Sequence, residues 1–260
     1  MVLPLDAVAN APLRVAVASN FSDTAKQLVK AYVSYGYQPP QLLFGSTGKH
    51  AAQINNGLRV DLLLAADIDR PTMLENAGIG IYDSRVSYAL GKLVLWVSDK
   101  TQNERSVRST EAGASALDSV SNSPLEPEQT KLVANALSAA SIISIANPSL
   151  APYGFASKNI LSDLTGLKRG EFKLVFGENV SQVLHFVNSG SVDAAFMPLS
   201  MVGAVQSGTI IKIPSGWHKP IEQQMLLISE VPEARRFYDF ILSAEGRYII
   251  QNRGYELPNG

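Results

Sequence analysis

Three times in this chain an apolar run ends in a short polar step and turns at once into a helical pattern: Leu13–Ala18 at Ser19-Asn20, Gln41–Phe44 at Gly45-Ser46-Thr47-Gly48, and Lys173–Phe176 at Glu178-Asn179-Val180-Ser181. A fourth helix opens after Ala151-Pro152-Tyr153-Gly154. Strands that feed straight into helices return parallel to themselves, because a parallel pair needs a crossover that a helix supplies. The repetition therefore predicts an α/β fold.

The rest of the chain fits that plan. Phe21–Tyr35 carries Ala25, Leu28, Val29 and Tyr32 at three- and four-residue spacing, an amphipathic helix with Asp23 in its first turn. Helices are expected at Lys49–Asn56, Met73–Ala77, Gln129–Ser138, Gly154–Leu164, Ser181–Asn188, Pro232–Leu242 and Ala244–Ile250. Apolar strands are expected at Val60–Ala65, Leu93–Ser98, Ile142–Ile145, Ala194–Met197, Ile210–Pro214 and Gln224–Ile228. Residues 99–130 are polar and Ser-, Glu- and Asn-rich, read as a surface insertion with one helix near 111–120. No internal repeat of clear period stands out.

Composition narrows the function classes. At 46% hydrophobic and 17% charged residues the chain is globular, and 260 residues suffice for one large domain or two smaller ones. A net charge of -1 offers no general attraction to nucleic acid or anionic membrane. Without cysteine there is no disulfide, thiolate nucleophile or Cys-ligated metal. No run of 18 apolar residues is present to span a bilayer. Residues 1–11 differ in character from the rest of the chain: Ala9-Asn10-Ala11 has the small-x-small form of an export cleavage site, so this segment is set apart as a leader remnant or disordered N-terminus.

Each strand-to-helix junction leaves backbone N–H groups unpaired at a helix start, two of them beside hydroxyls. Singly, Ser19-Asn20 and Gly45-Ser46-Thr47-Gly48 read as ordinary caps. Repeated at the carboxyl ends of successive strands, where open α/β sheets hold their ligands, they would form a socket for a small anion. Chemistry is harder to place. Ser19 and Ser46 lack a G-x-S-x-G setting. His50 is expected to point away from the cap toward the surface or a neighbouring helix, and His50, His185 and His218 have no metal-ligand spacing. Asp61, Asp67 and Asp69 bracket a strand without converging enough carboxylates for magnesium.

The stretches ASNFSDTAKQL from Ala18, FGSTGKHAAQINNGLRVDLLLAAD from Phe44, GKLVLWV from Gly91, NPSLAPYGFASK from Asn147 and GENVSQVLHFVNSGSVDAAFMPLS from Gly177 resemble, in order and separation, periplasmic molybdate/tungstate-binding proteins of ABC importers. The resemblance runs from Leu13 to Tyr255. It implies a two-lobed periplasmic binding protein of type II with a ligand cleft between lobes, one lobe from 12–92 with 222–260 and the other from 93–221. It implies binding of molybdate or tungstate by Ser19, Asn20, Thr47, Tyr153 and Val180, the last two through backbone N–H groups. Catalysis, metal cations and cofactors are not part of that picture. Partners would be the anion and a membrane permease, with no nucleic acid, and the protein would be an exported monomer. Met197 departs from one branch of the family, which has a tyrosine donor there. The alternative is a protein of the same fold that holds sulfate, phosphate or a small organic acid. A carboxylate ligand would call for an arginine, and Arg14, Arg59 and Arg70 are the ones near these strands.

Overall fold

A computed structural model of the chain describes residues 12–101, 127–164 and 172–258. The expected leader at 1–11 and the expected helix near 111–120 lie outside the described residues. Two compact units are present, Met1–Leu90 with Glu222–Gly260 and Gly91–Ile221.

The first unit is built on β1 (Arg14–Ala18), β2 (Gln41–Gly45), β3 (Leu62–Leu64), β4 (Val86–Gly91) and, from the chain's return, β10 (Ile221–Leu227), in the order β2-β1-β3-β10-β4. β1 runs parallel to both β2 and β3, while β10 lies antiparallel to β3. The crossovers are α1 (Ser22–Ser34), α2 (Thr47–Asn55) and α3 (Asp69–Asn76). Both faces of the central strands are covered, which is why they are apolar throughout instead of alternating. Val15, Val17, Leu62 and Leu64 meet Phe21, Leu28, Phe237 and Ile241 on one side. Ala16, Leu63 and Leu226 meet Ala51, Ile54 and Leu74 on the other.

The second unit repeats that plan with β5 (Leu93–Val97), β6 (Ile142–Ala146), β7 (Lys173–Gly177), β8 (Ala194–Pro198) and β9 (Thr209–Lys212), in the order β7-β6-β8-β5-β9. β6 is parallel to β7 and β8, and β5 is antiparallel to β8. Its helices are α4 (Pro127–Ser138), α5 (Pro152–Asp163) and α6 (Val180–Asn188); α7 (Pro232–Leu242) and α8 (Ala244–Asn252) belong to the first unit. The likeness extends to a fastening. The Asp61 carboxylate accepts the Arg14 N–H at the start of β1 (2.8 Å), and Asp193 accepts the Ser141 and Ile142 N–H groups at the start of β6 (2.9 Å each). So a repeat does exist, carried by strand order and a few residues instead of by periodic sequence.

Some boundaries move. α2 begins at Thr47 and not Lys49, and α3 at Asp69 and not Met73. Ser19–Phe21 forms a turn of 3-10 helix ahead of α1. β4 is an element the sequence pattern did not reveal.

Candidate functional site

In the first unit the register of β1 with β2 sets Ala18 beside Gly45, so the turns that come next, Ser19-Asn20 and Ser46-Thr47, leave the sheet at one edge. All four residues are buried, at 1–4% exposure, although all are polar. Thr47 Oγ1 accepts the Ala66 N–H from the exit of β3 at 2.9 Å, which draws the third strand's end to the same place. Ser46 stands at the N-cap of α2 in extended conformation but makes no capping bond, and its Oγ is buried without a partner. A buried hydroxyl left unsatisfied costs free energy, so the turn keeps a polar group that the fold itself does not employ.

Beneath this turn lies His50. Of the two expected placements, toward the surface or toward a neighbouring helix, the first fails: the residue is 3% exposed, and its Nε2 lies 3.2 Å from the Val17 carbonyl oxygen of β1. A Cβ on Gly45 would come within 2.9 Å of that nitrogen, so glycine makes the room the imidazole fills. Burial holds the His50 pKa below its ordinary value.

The Asn20 side chain turns inward. Its Nδ2 donates to Gln223 Oε1 (2.9 Å) and Tyr255 Oη (3.1 Å), and Tyr255 Oη donates back to the Asn20 carbonyl (2.7 Å). Tyr88 Oη lies 3.1 Å from the Ala65 carbonyl and 3.3 Å from Gln223 Oε1. Gln223 and Tyr255, hundreds of residues from Asn20 in sequence, were not foreseen; the only signal was an apolar strand, QMLLI, preceded by a glutamine that has to be buried with it.

Tyr153 and Val180 both belong to the second unit. Ala146 of β6 pairs with Gly177 of β7, and the Asn147 N–H donates to the Gly177 carbonyl at 2.7 Å, so the chain leaves β6 and β7 from adjacent strand ends toward α5 and α6. The first turn of α5 sits so close to the end of β6 that a Cβ on Gly154 would come within 2.1 Å of the Ala146 carbonyl oxygen. Asn179 caps α6, its side chain accepting from the Ser181 and Gln182 N–H groups at 2.9 and 3.2 Å. Val180 is the first residue of α6, and its N–H stands outside those cap bonds. Tyr153 and Val180 are both buried, at 2% and 3% exposure. Met197 lies wholly buried in β8.

Among the described residues, Asp67, Arg70, Arg14 and Arg85 are occupied or distant from these turns. Asp67, just past the exit of β3, is paired with Arg70 (3.0 Å) and also accepts the Arg70 N–H (2.9 Å); burial raises its pKa in spite of that partner. Arg14 lies at the opposite, amino end of β1. Arg85 is bound to Glu75 (2.6 Å). Among the described residues no three His, Asp or Glu side chains cluster as metal ligands. No helix among them is long and apolar enough to cross a membrane.

Residues 13–256 match the model of the bacterial extracellular solute-binding protein family. The molybdate-binding protein ModA of Rhodobacter capsulatus is 30% identical over 243 residues, which cover 92% of this chain and 86% of that protein. The solved structure of the periplasmic molybdate-binding protein of Azotobacter vinelandii shares the fold at a TM-score of 0.75 and 28% identity, covering 95% of this chain and all of that one (100%). A protein of the tungstate ABC transporter from Geobacter sulfurreducens shares the fold at a TM-score of 0.62 and 12% identity, covering 93% and 98%.

Proposed function

The chain belongs to the bacterial extracellular solute-binding protein family, and on that premise we propose that it binds one molybdate or tungstate anion and delivers it to the membrane permease of an ABC importer. It acts as an exported, periplasmic monomer and transforms nothing. Ser19, Asn20, Thr47, Tyr153 and Val180 are the residues assigned to the anion. The observation that carries the reading is the repetition, in each unit, of two helix starts leaving adjacent parallel strands at residues where the ModA resemblance puts anion contacts.

The donors are neutral: hydroxyls and main-chain N–H groups at helix N-termini, where the peptide dipoles favour negative charge. Removing a dianion from water is costly, and only a full set of donors offsets it. Selectivity then follows size and protonation. Sulfate is smaller and stretches its bonds to donors set for molybdate, and phosphate near neutral pH carries a proton that wants an acceptor. The ion pairs of Arg70 and Arg85 speak against an organic acid, which would engage a guanidinium.

Calorimetric titration with molybdate, tungstate, sulfate and phosphate tests the reading. One-to-one binding of the first two, with the others at least about a hundredfold weaker, is the expected result, a gap of about 2.7 kcal/mol. Tight sulfate or phosphate binding without molybdate binding overturns it.

A further inference from the structure

We propose that Tyr255, Gln223 and Tyr88 are positioning residues that hold the first anion turn in shape, and that Asn20 meets the anion through its main-chain N–H while its side chain is a strut within this brace. The inference rests on the proposed function above and deepens it.

The hydrogen-bond count is what makes the brace specific. Both Asn20 Nδ2 hydrogens are directed inward, one to Gln223 Oε1 and one to Tyr255 Oη. Gln223 Oε1 accepts from Asn20 and faces the Tyr88 hydroxyl, and it is fully buried at 0% exposure. The Tyr255 hydroxyl gives its one hydrogen to the Asn20 carbonyl while taking a bond from the same residue's side chain. One phenol thus grips the main chain and side chain of a single residue, holding the peptide that follows Asn20. Phe21 locks the frame from the apolar side, its ring meeting Tyr88 at 4.9 Å and Tyr255 at 5.2 Å, both edge-on.

The brace also reaches the neighbouring turn. Tyr88 Oη bonds the Ala65 carbonyl, and the next N–H along, that of Ala66, is the one Thr47 Oγ1 accepts. Ser19-Asn20 and Thr47 are therefore set in one continuous polar frame. Its supports come from β4, β10 and the C-terminal residues, far from either turn in sequence. A buried polar network of this kind stiffens what it holds, and one missing member leaves its neighbours desolvated and unpaired.

The test uses the full-length protein with Tyr255→Phe and Gln223→Met, which keep ring and chain volume and delete the hydroxyl and the acceptor. Molybdate and sulfate affinities are measured by calorimetry and the unfolding midpoint of the unliganded protein by calorimetric scan. Each variant is expected to weaken molybdate binding about tenfold, the size of one lost buried hydrogen bond. The molybdate-to-sulfate ratio should fall as the turn loosens, while the midpoint moves by only a few degrees. A merely structural role would lower the midpoint and leave the ratio intact. Wild-type affinity and ratio in folded Tyr255→Phe and Gln223→Met overturn the brace alone. Absence of molybdate binding by the wild-type protein overturns the proposed function, and the brace with it.

Discussion

Thr47 Oγ1 accepts the Ala66 N–H at 2.9 Å, so one lone pair is used inside the fold and the hydroxyl hydrogen points away from that N–H. The hydroxyl keeps its hydrogen to donate, which is what an oxyanion needs.

Thr47→Val, which keeps the shape and removes the hydroxyl, is expected to weaken molybdate binding by about 1.5–3 kcal/mol, the range for hydrogen bonds to charged partners. Thr47→Ser should retain most of the affinity. Calorimetry on the pair decides it: if Thr47→Val binds like wild type, the hydroxyl has no place among the anion's donors.

Val180→Pro isolates a single N–H. Proline is at home in the first position of a helix, and Asn179 already has the extended backbone (φ -152°, ψ 176°) that a following proline requires. The cap bonds to Ser181 and Gln182 survive. Affinity should drop about tenfold or more while Val180→Ala changes it little. Equal affinities for the two variants would remove this N–H from the site.

Gly154→Ala tests the close approach of α5 to β6. The added methyl would meet the Ala146 carbonyl oxygen at 2.1 Å, and the backbone has to shift. The expected cost is at least about 2 kcal/mol, read as a lowered denaturant midpoint with weaker anion binding, because Tyr153 moves with the helix. An unchanged midpoint would show that this contact yields easily.

pH separates stability from binding. Burial lowers the pKa of His50 from 6.5, and of His218 likewise. The folded protein therefore keeps both neutral where the unfolded chain takes up protons. Their contribution to stability is complete above about pH 6.5 and is lost as pH falls through that value toward the lowered folded pKa. Asp67, raised by burial, acts in the opposite sense but in the carboxylate range. Urea midpoints should thus decline between about pH 7.5 and 5.5, with a shallower decline in His50→Gln. Molybdate affinity should stay flat between about pH 6 and 8, since no proposed contact titrates there. A tenfold loss of affinity centred near 6.5 would bring a histidine into the site.

Much of this was legible in the sequence because strand-to-helix junctions are local events. Ser19-Asn20, Gly45-Ser46-Thr47 and Asn179-Val180 announce themselves by short polar residues between two periodicities, and the α/β class comes from their order. What escaped was set by distance or by a neighbour's absence. β4 escaped because VSYALG is half polar and only partly covered. His50 was misjudged because its burial depends on Gly45 having no side chain, a fact about the space beside a helix and not about the helix. The Asn20–Gln223–Tyr255 bonds join residues 203 and 235 positions apart, beyond the reach of any pattern in a window.

The split of the first unit has a consequence for how the chain acquires its structure. Gly91–Ile221 is one unbroken stretch, complete before the last part of the polypeptide exists, whereas the first unit waits for Glu222–Gly260 because β10 lies between β3 and β4 in its sheet. Emerging from the N-terminus, the middle of the chain has all its partners first. Both tryptophans, Trp96 and Trp217, fall in that middle stretch and are buried there. Indole fluorescence during refolding accordingly reports on the Gly91–Ile221 unit, and the split unit has to be followed through its tyrosines.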